Sequence, residues 1–180
     1  MDYNEKQVQI IETAETLFAE KGFNGTSVRD IAEKAQVNLA MISYYFGSKE
    51  KLLEALFTYR GEHIKLKLEG LIGSSDKTPM EKMYALIDHY VDKVMQQQNF
   101  SRIMAREQVI THTGITAGLI LQLKRNNQKL IARLIHEGQR QGVFRKNIDI
   151  PLMMATLIGT ANNVVATQWY YRELNNLQDL

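Results

Sequence analysis

Apolar residues recur at intervals of three and four positions along nearly the whole chain, and this spacing constrains the fold more than any other feature. Side chains with that period lie on one face of an α-helix. Only Pro79 and Pro151 interrupt the 180 residues, and the alternating patterns that indicate strands are absent. The sequence therefore predicts an all-α protein.

Capping residues mark where the predicted helices begin and end. Asn4 and Ser27 each have a capping-box partner three residues on, and Gly22 suits the left-handed position after a helix. The run from Thr78 to Glu81 combines an N-cap, a proline at the first helical position and a glutamate at the third. Eight helices are predicted, at about residues 4–22, 27–35, 39–46, 48–72, 78–97, 100–112, 115–140 and 151–174.

The second and third predicted helices are short, and the turn Gln36-Val37-Asn38 joins them. Small residues, Ala32 and Ala35, lie where the two helices must approach closely. This is the geometry of a helix-turn-helix, whose second helix enters the major groove of DNA. We therefore predict a DNA-binding domain over residues 1–47 and a helical regulatory and dimerisation domain over residues 48–180, with the fourth helix as connector.

A longer run of residues around this turn is more specific than the turn itself. It comprises Gly22-Phe23, Thr26-Ser27-Val28-Arg29-Asp30-Ile31-Ala32, Val37 and Ile42-Ser43-Tyr44-Tyr45-Phe46-Gly47-Ser48-Lys49-Glu50-Lys51-Leu52-Leu53. Over residues 5–55 the chain closely resembles the DNA-binding domain of the TetR family, the tetracycline-repressor-like bacterial regulators. The resemblance implies a homodimer that represses transcription, binds a double-stranded DNA operator and is released by an unknown small-molecule effector.

Operator contacts are predicted from the second, third and fourth helices. Hydroxyls and free amides at a helix start can hold a phosphate, and short exposed side chains on the third helix can reach base edges. The resemblance adds two tyrosines that touch the DNA backbone and a lysine that meets a phosphate from the start of helix 4. The predicted set is Thr26, Ser27, Arg29, Asn38, Leu39, Ala40, Met41, Ser43, Tyr44, Tyr45 and Lys49.

Some of these side chains also have a structural interpretation. Arg29 can pair with Asp30 or Glu33 on a solvated face instead of reaching a guanine or a phosphate. One of Tyr44 and Tyr45 can pack against helix 1. Both alternatives remain open at the level of the sequence.

The predicted DNA-binding part has a negative charge balance. Residues 1–50 hold five basic and eight acidic side chains, although the whole chain carries a net charge of +2. Because a DNA-binding surface is usually basic, this balance supports an alternative, a dimeric small-molecule-binding or adaptor protein without DNA binding. A constitutive DNA binder without induction and an activator are further alternatives.

The second half of the chain is rich in methionine and aromatic residues. Methionine adapts to irregular apolar shapes and aromatic rings offer stacking faces, so this composition suits a pocket for an apolar or amphipathic ligand. Ordinary helical core is the alternative for any single residue. The predicted ligand-binding residues are Tyr59, His63, Met83, Tyr84, Ile87, Met104 and Trp169.

The last predicted helix carries small residues every four positions, at Ala155, Gly159 and Asn163. Small side chains let a second helix come close, so this stripe is the predicted dimer interface. In the family that the chain resembles, the last two long helices commonly form the dimer; here either helices 7 and 8 do so, or the final helix is missing or curtailed. The threonines and asparagines of residues 151–169 predict a buried helix, not a membrane span.

Composition excludes several other classes of protein. The chain has no cysteine, which removes disulfides, thiolate metal sites and cysteine nucleophiles. Its four histidines have no zinc-ligand spacing, and no paired carboxylates, phosphate-binding glycine loop or nucleophile motif indicates an enzyme. We expect a cytoplasmic regulator with no catalytic residues, cofactor, metal or membrane partner.

Overall fold

The computed structural model describes residues 3–110 and 114–176. This part of the chain contains α-helices and no strand, which confirms the all-α prediction. The helices are α1 (Glu5–Lys21), α2 (Val28–Lys34), α3 (Leu39–Phe46), α4 (Lys49–Gly73), α5 (Pro79–Gln96), α6 (Gln98–Ile110), α7 (Ile115–Arg140), α8 (Ile150–Ala166) and α9 (Gln168–Leu174).

Three helix starts form through the predicted capping residues. The side chains of Asn4, Ser27 and Thr78 each accept a hydrogen bond from the amide three residues on, and the side chain there accepts one from the amide of the capping residue. Each reciprocal pair satisfies amides that the helix itself leaves unbonded. Pro79 opens α5 and Gly22 ends α1, as the sequence predicts. Gly22 has a φ of 77° and a ψ of 166°, so its φ is positive, as in the predicted left-handed conformation, but its ψ is extended.

The chain folds as two compact units. Unit 1 holds residues 1–67 and 99–126, and unit 2 holds residues 68–98 and 127–180. Unit 1 therefore includes α1 to α3, most of α4, nearly all of α6 and the first part of α7. These units are defined by packing, and the functional division predicted after residue 47 stays a prediction.

The core of unit 1 is shared by the helix-turn-helix, α4, α6 and α7. Its buried members include Ile10, Ile11, Phe18, Ile31, Ile42, Leu52, Leu53, Leu56, Phe57, Phe100, Ile103 and Ile120. The rings of Phe57 in α4 and Phe100 in α6 meet edge-on, with centroids 5.3 Å apart. Burying one such side chain stabilises a fold by about 1.5–3 kcal/mol, so α6 contributes directly to the stability of the helices with which it shares this core.

A buried lysine ties three helices together in unit 2. Lys82 of α5 is 4% exposed, and its Nζ donates to the Ile72 carbonyl at 2.9 Å and to the Glu137 carboxylate at 3.0 Å. Ile72 lies in the last turn of α4, where carbonyls have no helical partner, and Glu137 lies on α7. The ammonium therefore holds the end of α4 and the second half of α7 against α5.

The last predicted helix is broken, contrary to the sequence prediction. It separates at Thr167 into α8 and α9, with a bend of 74° between them. Val164 and Val165 are β-branched, and the Thr167 hydroxyl donates back to the Asn163 carbonyl at 2.7 Å. Both features disfavour a continuous helix at this point.

The prediction that this segment is a buried helix is also wrong. Met154 and Ala161 are buried, and α8 packs against α5, but the described residues leave much of the rest of the helix exposed. Leu152 is 63% exposed and Trp169 is 70% exposed. Among the described residues no single helix has the length and apolarity to cross a membrane; α8 and α9 taken together meet those two criteria, as a bent pair.

We predict that Glu137→Ala lowers the free energy of unfolding by about 3 kcal/mol, because it leaves the Lys82 ammonium buried without its charge partner. Lys82→Met removes the buried charge itself and is expected to cost less. Urea denaturation of both variants and the wild type measures the two changes. A larger loss for Lys82→Met, which keeps an apolar stem but cannot donate to the Ile72 carbonyl, would show that this hydrogen bond contributes more to the stability of unit 2 than the ion pair does.

Candidate nucleic-acid interface

The turn between α2 and α3 is fixed by backbone hydrogen bonds and one left-handed residue. Gln36 has a φ of 52°, and the Val37 amide donates to the Ala32 carbonyl at 3.0 Å. Asn38 then caps α3, since its side chain accepts from the Ala40 amide at 2.9 Å. α2 packs against both α1 and α3, so the predicted helix-turn-helix forms one compact element.

The outer face of α3 is accessible and carries no charge. Its exposed or half-buried side chains are Leu39, Ala40, Met41, Ser43 and Tyr44. On the opposite face Ile42 is 1% exposed and anchors the helix in the core. Short side chains on an accessible helix suit the major groove, where they can contact thymine methyls and hydrogen-bond to base edges.

The two tyrosines of α3 have different environments. Tyr44 is 84% exposed, whereas Tyr45 is half-buried and packs against the core of unit 1. Their rings meet edge-on with centroids 5.3 Å apart. The alternative in which one tyrosine packs inward therefore holds for Tyr45, and Tyr44 is the accessible candidate for the DNA backbone.

Arg29 is exposed on α2 and forms no ion pair within the part of the chain that the structure describes. Its neighbour Asp30 accepts instead from the amide and the hydroxyl of Ser27, each at 2.8 Å. These hydrogen bonds, the backbone one first, hold the pKa of Asp30 below its ordinary value. Arg29 is thus available to DNA, whereas a phosphate would have to displace Asp30 from the Ser27 hydroxyl.

The predicted role of the Thr26 hydroxyl needs correction. Thr26 is 1% exposed, and its Oγ1 donates to the carbonyls of Gly22 at 2.8 Å and Leu17 at 3.2 Å. The hydroxyl therefore satisfies carbonyls at the end of α1 and is not available to a phosphate. Its partners lie on the preceding helix, and the spacing of the motif does not reveal them.

Lys49 begins α4 and is half-buried. Its Nζ donates to the carbonyls of Phe23 and Thr26, both at 2.9 Å, and lies 4.4 Å from the centroid of the Phe23 ring. Two of its three N–H donors thus hold the loop before α2 against the start of α4. The phosphate contact of Lys49 stays a prediction, for which the third donor remains.

Some of the acidic side chains in the first fifty residues form ion pairs within unit 1. Glu15 lies 2.7 Å from Arg60, and Glu20 lies 3.4 Å from Lys34. α3 itself, from Leu39 to Phe46, contains no charged residue. The excess of acidic residues in this part of the chain therefore lies outside α3, the helix predicted to enter the major groove.

Glu15 is a functional candidate outside the predicted set. It is 4% exposed, and burial raises the pKa of its carboxyl, although Arg60 opposes that shift. A signal for it is present in the sequence, because Glu15 follows Ile11 by four positions and precedes Phe18 by three. That spacing places a carboxylate on the apolar face of α1.

The predicted ligand-binding residues are divided between the two units. Tyr59, His63 and Met104 belong to unit 1, where the Tyr59 and His63 rings meet edge-on with centroids 4.9 Å apart. Unit 2 holds Met83, Tyr84, Ile87 and Trp169. The ligand pocket stays a prediction.

The predicted dimer residues Ala155, Gly159 and Asn163 are all exposed on α8. Their spacing of four places them on one face, and apart from the adjoining backbone of α8 no atom of the described residues lies within 4 Å of a Cβ built on Gly159. The stripe is therefore accessible to a second helix, and the dimer interface stays a prediction.

Two models of known families match the chain. The model described as bacterial regulatory proteins, tetR family, matches residues 10–56, which include the whole helix-turn-helix. The model described as tetracyclin repressor-like, C-terminal domain, matches residues 76–173. Together they cover helices of both compact units.

Individual relatives agree with these models. The probable HTH-type transcriptional regulator YttP of Bacillus subtilis is 36% identical over 80% of this chain and 68% of its own length. The HTH-type transcriptional repressor NicS of Pseudomonas putida is 31% identical over 82% of this chain and 71% of its own length. FadR from Bacillus subtilis, solved in complex with stearoyl-CoA, has the same fold, with a TM-score of 0.75 at 23% identity over 96% of this chain and 89% of that chain. With the geometry of its helix-turn-helix, these matches show that the chain belongs to the tetR family of bacterial regulatory proteins, which are DNA-binding transcriptional regulators.

Proposed function

We propose that this protein is a repressor that binds a near-palindromic operator as a homodimer and is released by an apolar or amphipathic small molecule. The observation that carries the proposal is the accessible, uncharged outer face of α3, held on a capped and buried helix-turn-helix. One such face reads only a few base pairs, so a specific site calls for a twofold dimer. The names of NicS, a repressor, and FadR, solved with stearoyl-CoA, support the repression and the effector.

Accessible apolar side chains on α5 support the effector class. Met80, Tyr84, Val91 and Met95 are between 38% and 61% exposed, and their spacing places them on one side of the helix. An accessible apolar surface of this kind suits a ligand that is mostly apolar.

The exposed face of α8 and α9 supports the twofold dimer. Its large apolar and aromatic side chains are Leu152, Val164, Trp169, Tyr170, Tyr171 and Leu174. Large apolar side chains exposed on a single chain are typical of an interaction site, and in a twofold dimer both copies use the same surface. Gly159, which has open space above it, would let the partner helix approach closely.

We predict that Arg29→Ala weakens operator binding, because it removes an accessible cation from the first helix of the helix-turn-helix. If Arg29 meets a phosphate, the slope of log affinity against log salt falls by about one unit. If it meets a guanine, discrimination at one position of the site falls by about 1–3 kcal/mol. Fluorescence anisotropy with duplexes obtained by in vitro selection measures both quantities.

Lys34→Ala is the matched control for Arg29, since Lys34 lies on the same helix and pairs with Glu20. It is expected to leave both the salt slope and the base preference unchanged. Wild-type behaviour of Arg29→Ala would remove Arg29 from the interface. If the wild-type protein selects no duplex at all, the alternative of a small-molecule-binding protein without DNA binding is favoured.

We predict that Gly159→Leu dissociates the dimer and abolishes operator binding, because a large side chain fills the space that the partner helix needs. Within the described part of the chain, a Cβ at Gly159 or at the control position Gly70 meets open space, so both variants should fold. Sedimentation velocity at micromolar concentration is expected to find a monomer for Gly159→Leu and a dimer for Gly70→Leu. A dimeric Gly159→Leu variant would contradict the placement of the interface on α8.

We predict that an inducer and the operator weaken each other's binding by the same factor, typically about 5- to 150-fold. Stearoyl-CoA is the first probe, because the FadR structure contains it. Its affinity is measured for the free protein and for the protein saturated with operator, with Trp169, the only tryptophan, as one reporter. Equal affinity in both states would exclude stearoyl-CoA as an inducer, and a ligand search without any coupled compound would favour a constitutive DNA binder.

A further inference from the structure

α6 lies directly alongside the C-terminal half of α1. Near the start of α6, Asn99 Nδ2 is 3.5 Å from Thr16 Oγ1, and the Phe100 backbone hydrogen-bonds to the Glu15 carboxylate. Further along, the guanidinium of Arg106 lies against Gly22, with its Cζ 2.9 Å from a Cβ built there. The contacts advance in the same direction on both helices, so the two run side by side in parallel.

Glu15 occupies the point where α1, α4 and α6 meet. Its carboxylate Oε2 accepts from Arg60 of α4 through Nε at 2.8 Å and Nη2 at 2.7 Å. The side chains are only 5% exposed for Glu15 and 16% for Arg60, so solvent screens their attraction weakly. Breaking this pair by removing one partner would leave a buried charge uncompensated.

The Phe100 amide gives the same carboxylate a second role. Phe100 is the third residue of α6, and the first amides of a helix have no partner within the helix. A carboxylate at this end satisfies one amide and is favoured by the helix dipole. Glu15 thus caps α6 from another helix, and Arg106 places a positive charge at the opposite, C-terminal end of α1, where the dipole favours a cation.

We propose that Glu15 is a positioning residue that couples α6 to the DNA-binding helices, so that a signal reaches α1 through α6 as well as along α4. The proposal rests on the proposed ligand-released function, because α6 belongs to the segment that matches the C-terminal domain of the family. A shift of the α6 N-terminus must either move Glu15 with it or break a buried contact. The buried residues of α1, which include Ile10, Ile11 and Phe18, pack in the same core as residues of α2 and α3. A movement of α1 would therefore also displace α2 and α3.

Coupling is reciprocal, so the operator itself can serve as the probe. Amide hydrogen exchange is measured by mass spectrometry for peptides within residues 99–106, with and without a saturating duplex obtained by in vitro selection. In the wild type the operator is expected to change this exchange severalfold. The test variant is Glu15→Met/Arg60→Met, since apolar residues of similar volume often replace a buried ion pair without loss of stability.

The double variant is expected to bind the duplex and to lose its effect on α6 exchange. Glu12→Gln is the matched control, because Glu12 lies on the same helix, 3.9 Å from Arg60, and its side chain is 52% exposed. It should retain the full effect of the operator. A double variant that keeps the effect, or a control that loses it equally, would overturn the role of Glu15.

If the wild type selects no duplex, the proposed function fails, and the role of Glu15 is then decided in the free protein. Loss of a helix cap should speed exchange at the start of α6 by about fivefold. Exchange within residues 129–137, in the other compact unit, should not change. Wild-type exchange of α6 in the double variant would show that Glu15 does not hold this helix.

Discussion

The packing of Phe100 in α6 against Phe57 in α4 makes the DNA-binding helices and part of the C-terminal segment one folded unit. A three-helix domain of about 50 residues buries little of its apolar surface and is marginal alone. Here Phe100 and Ile103 of α6 and Ile120 of α7 complete the core beneath α1 to α4. The position of the helix-turn-helix therefore depends on helices that lie far from it in sequence.

Charge is distributed so that α3 can approach DNA although its surroundings are acidic. Carboxylates near it are used in caps and ion pairs, as Asp30 is by Ser27 and Glu20 by Lys34. Few cations remain for phosphates, with Arg29 accessible and Lys49 partly engaged by carbonyls. Because each neutralised phosphate contributes to the salt dependence of binding, we expect a shallow salt dependence for each protomer. In the dimer that we propose, specificity would then depend on the shape of α3 and on the twofold pairing of half-sites.

The sequence correctly predicts those features of the fold that depend on interactions between residues a few positions apart. Capping residues such as Asn4 and Thr78 set helix starts through bonds that span three positions, and these starts agree with the structure. The family motif likewise places the helix-turn-helix correctly. The Thr26 hydroxyl and the Lys49 ammonium could not be assigned in this way, because their partners are carbonyls of the α1 terminus and the loop before α2.

The errors at the end of the chain have a different cause. An apolar helix has the same sequence pattern whether residues of its own chain or another molecule bury it. The spacing of apolar residues therefore could not predict that Leu152 and Trp169 are exposed in the single chain. The break at Thr167 follows a β-branched run of weak helix propensity, and the spacing of apolar residues contains no information about propensity. The candidate ligand and dimer residues stay predictions for a related reason, since their partners are not part of this chain.

The contacts of unit 1 also limit how regulation can work. Lys49 holds the loop before α2 to the start of α4, and the Glu15–Arg60 pair holds α1 to the middle of the same helix. α3 is anchored by Ile42 and capped by Asn38, so it cannot reorient without breaking buried contacts. Moving the whole helix-turn-helix as a rigid body therefore costs less free energy than reshaping α3, and we expect a ligand to act in the first way. In a twofold dimer such a movement changes the distance between the two copies of α3, and the fixed spacing of the operator half-sites converts that distance into a loss of affinity.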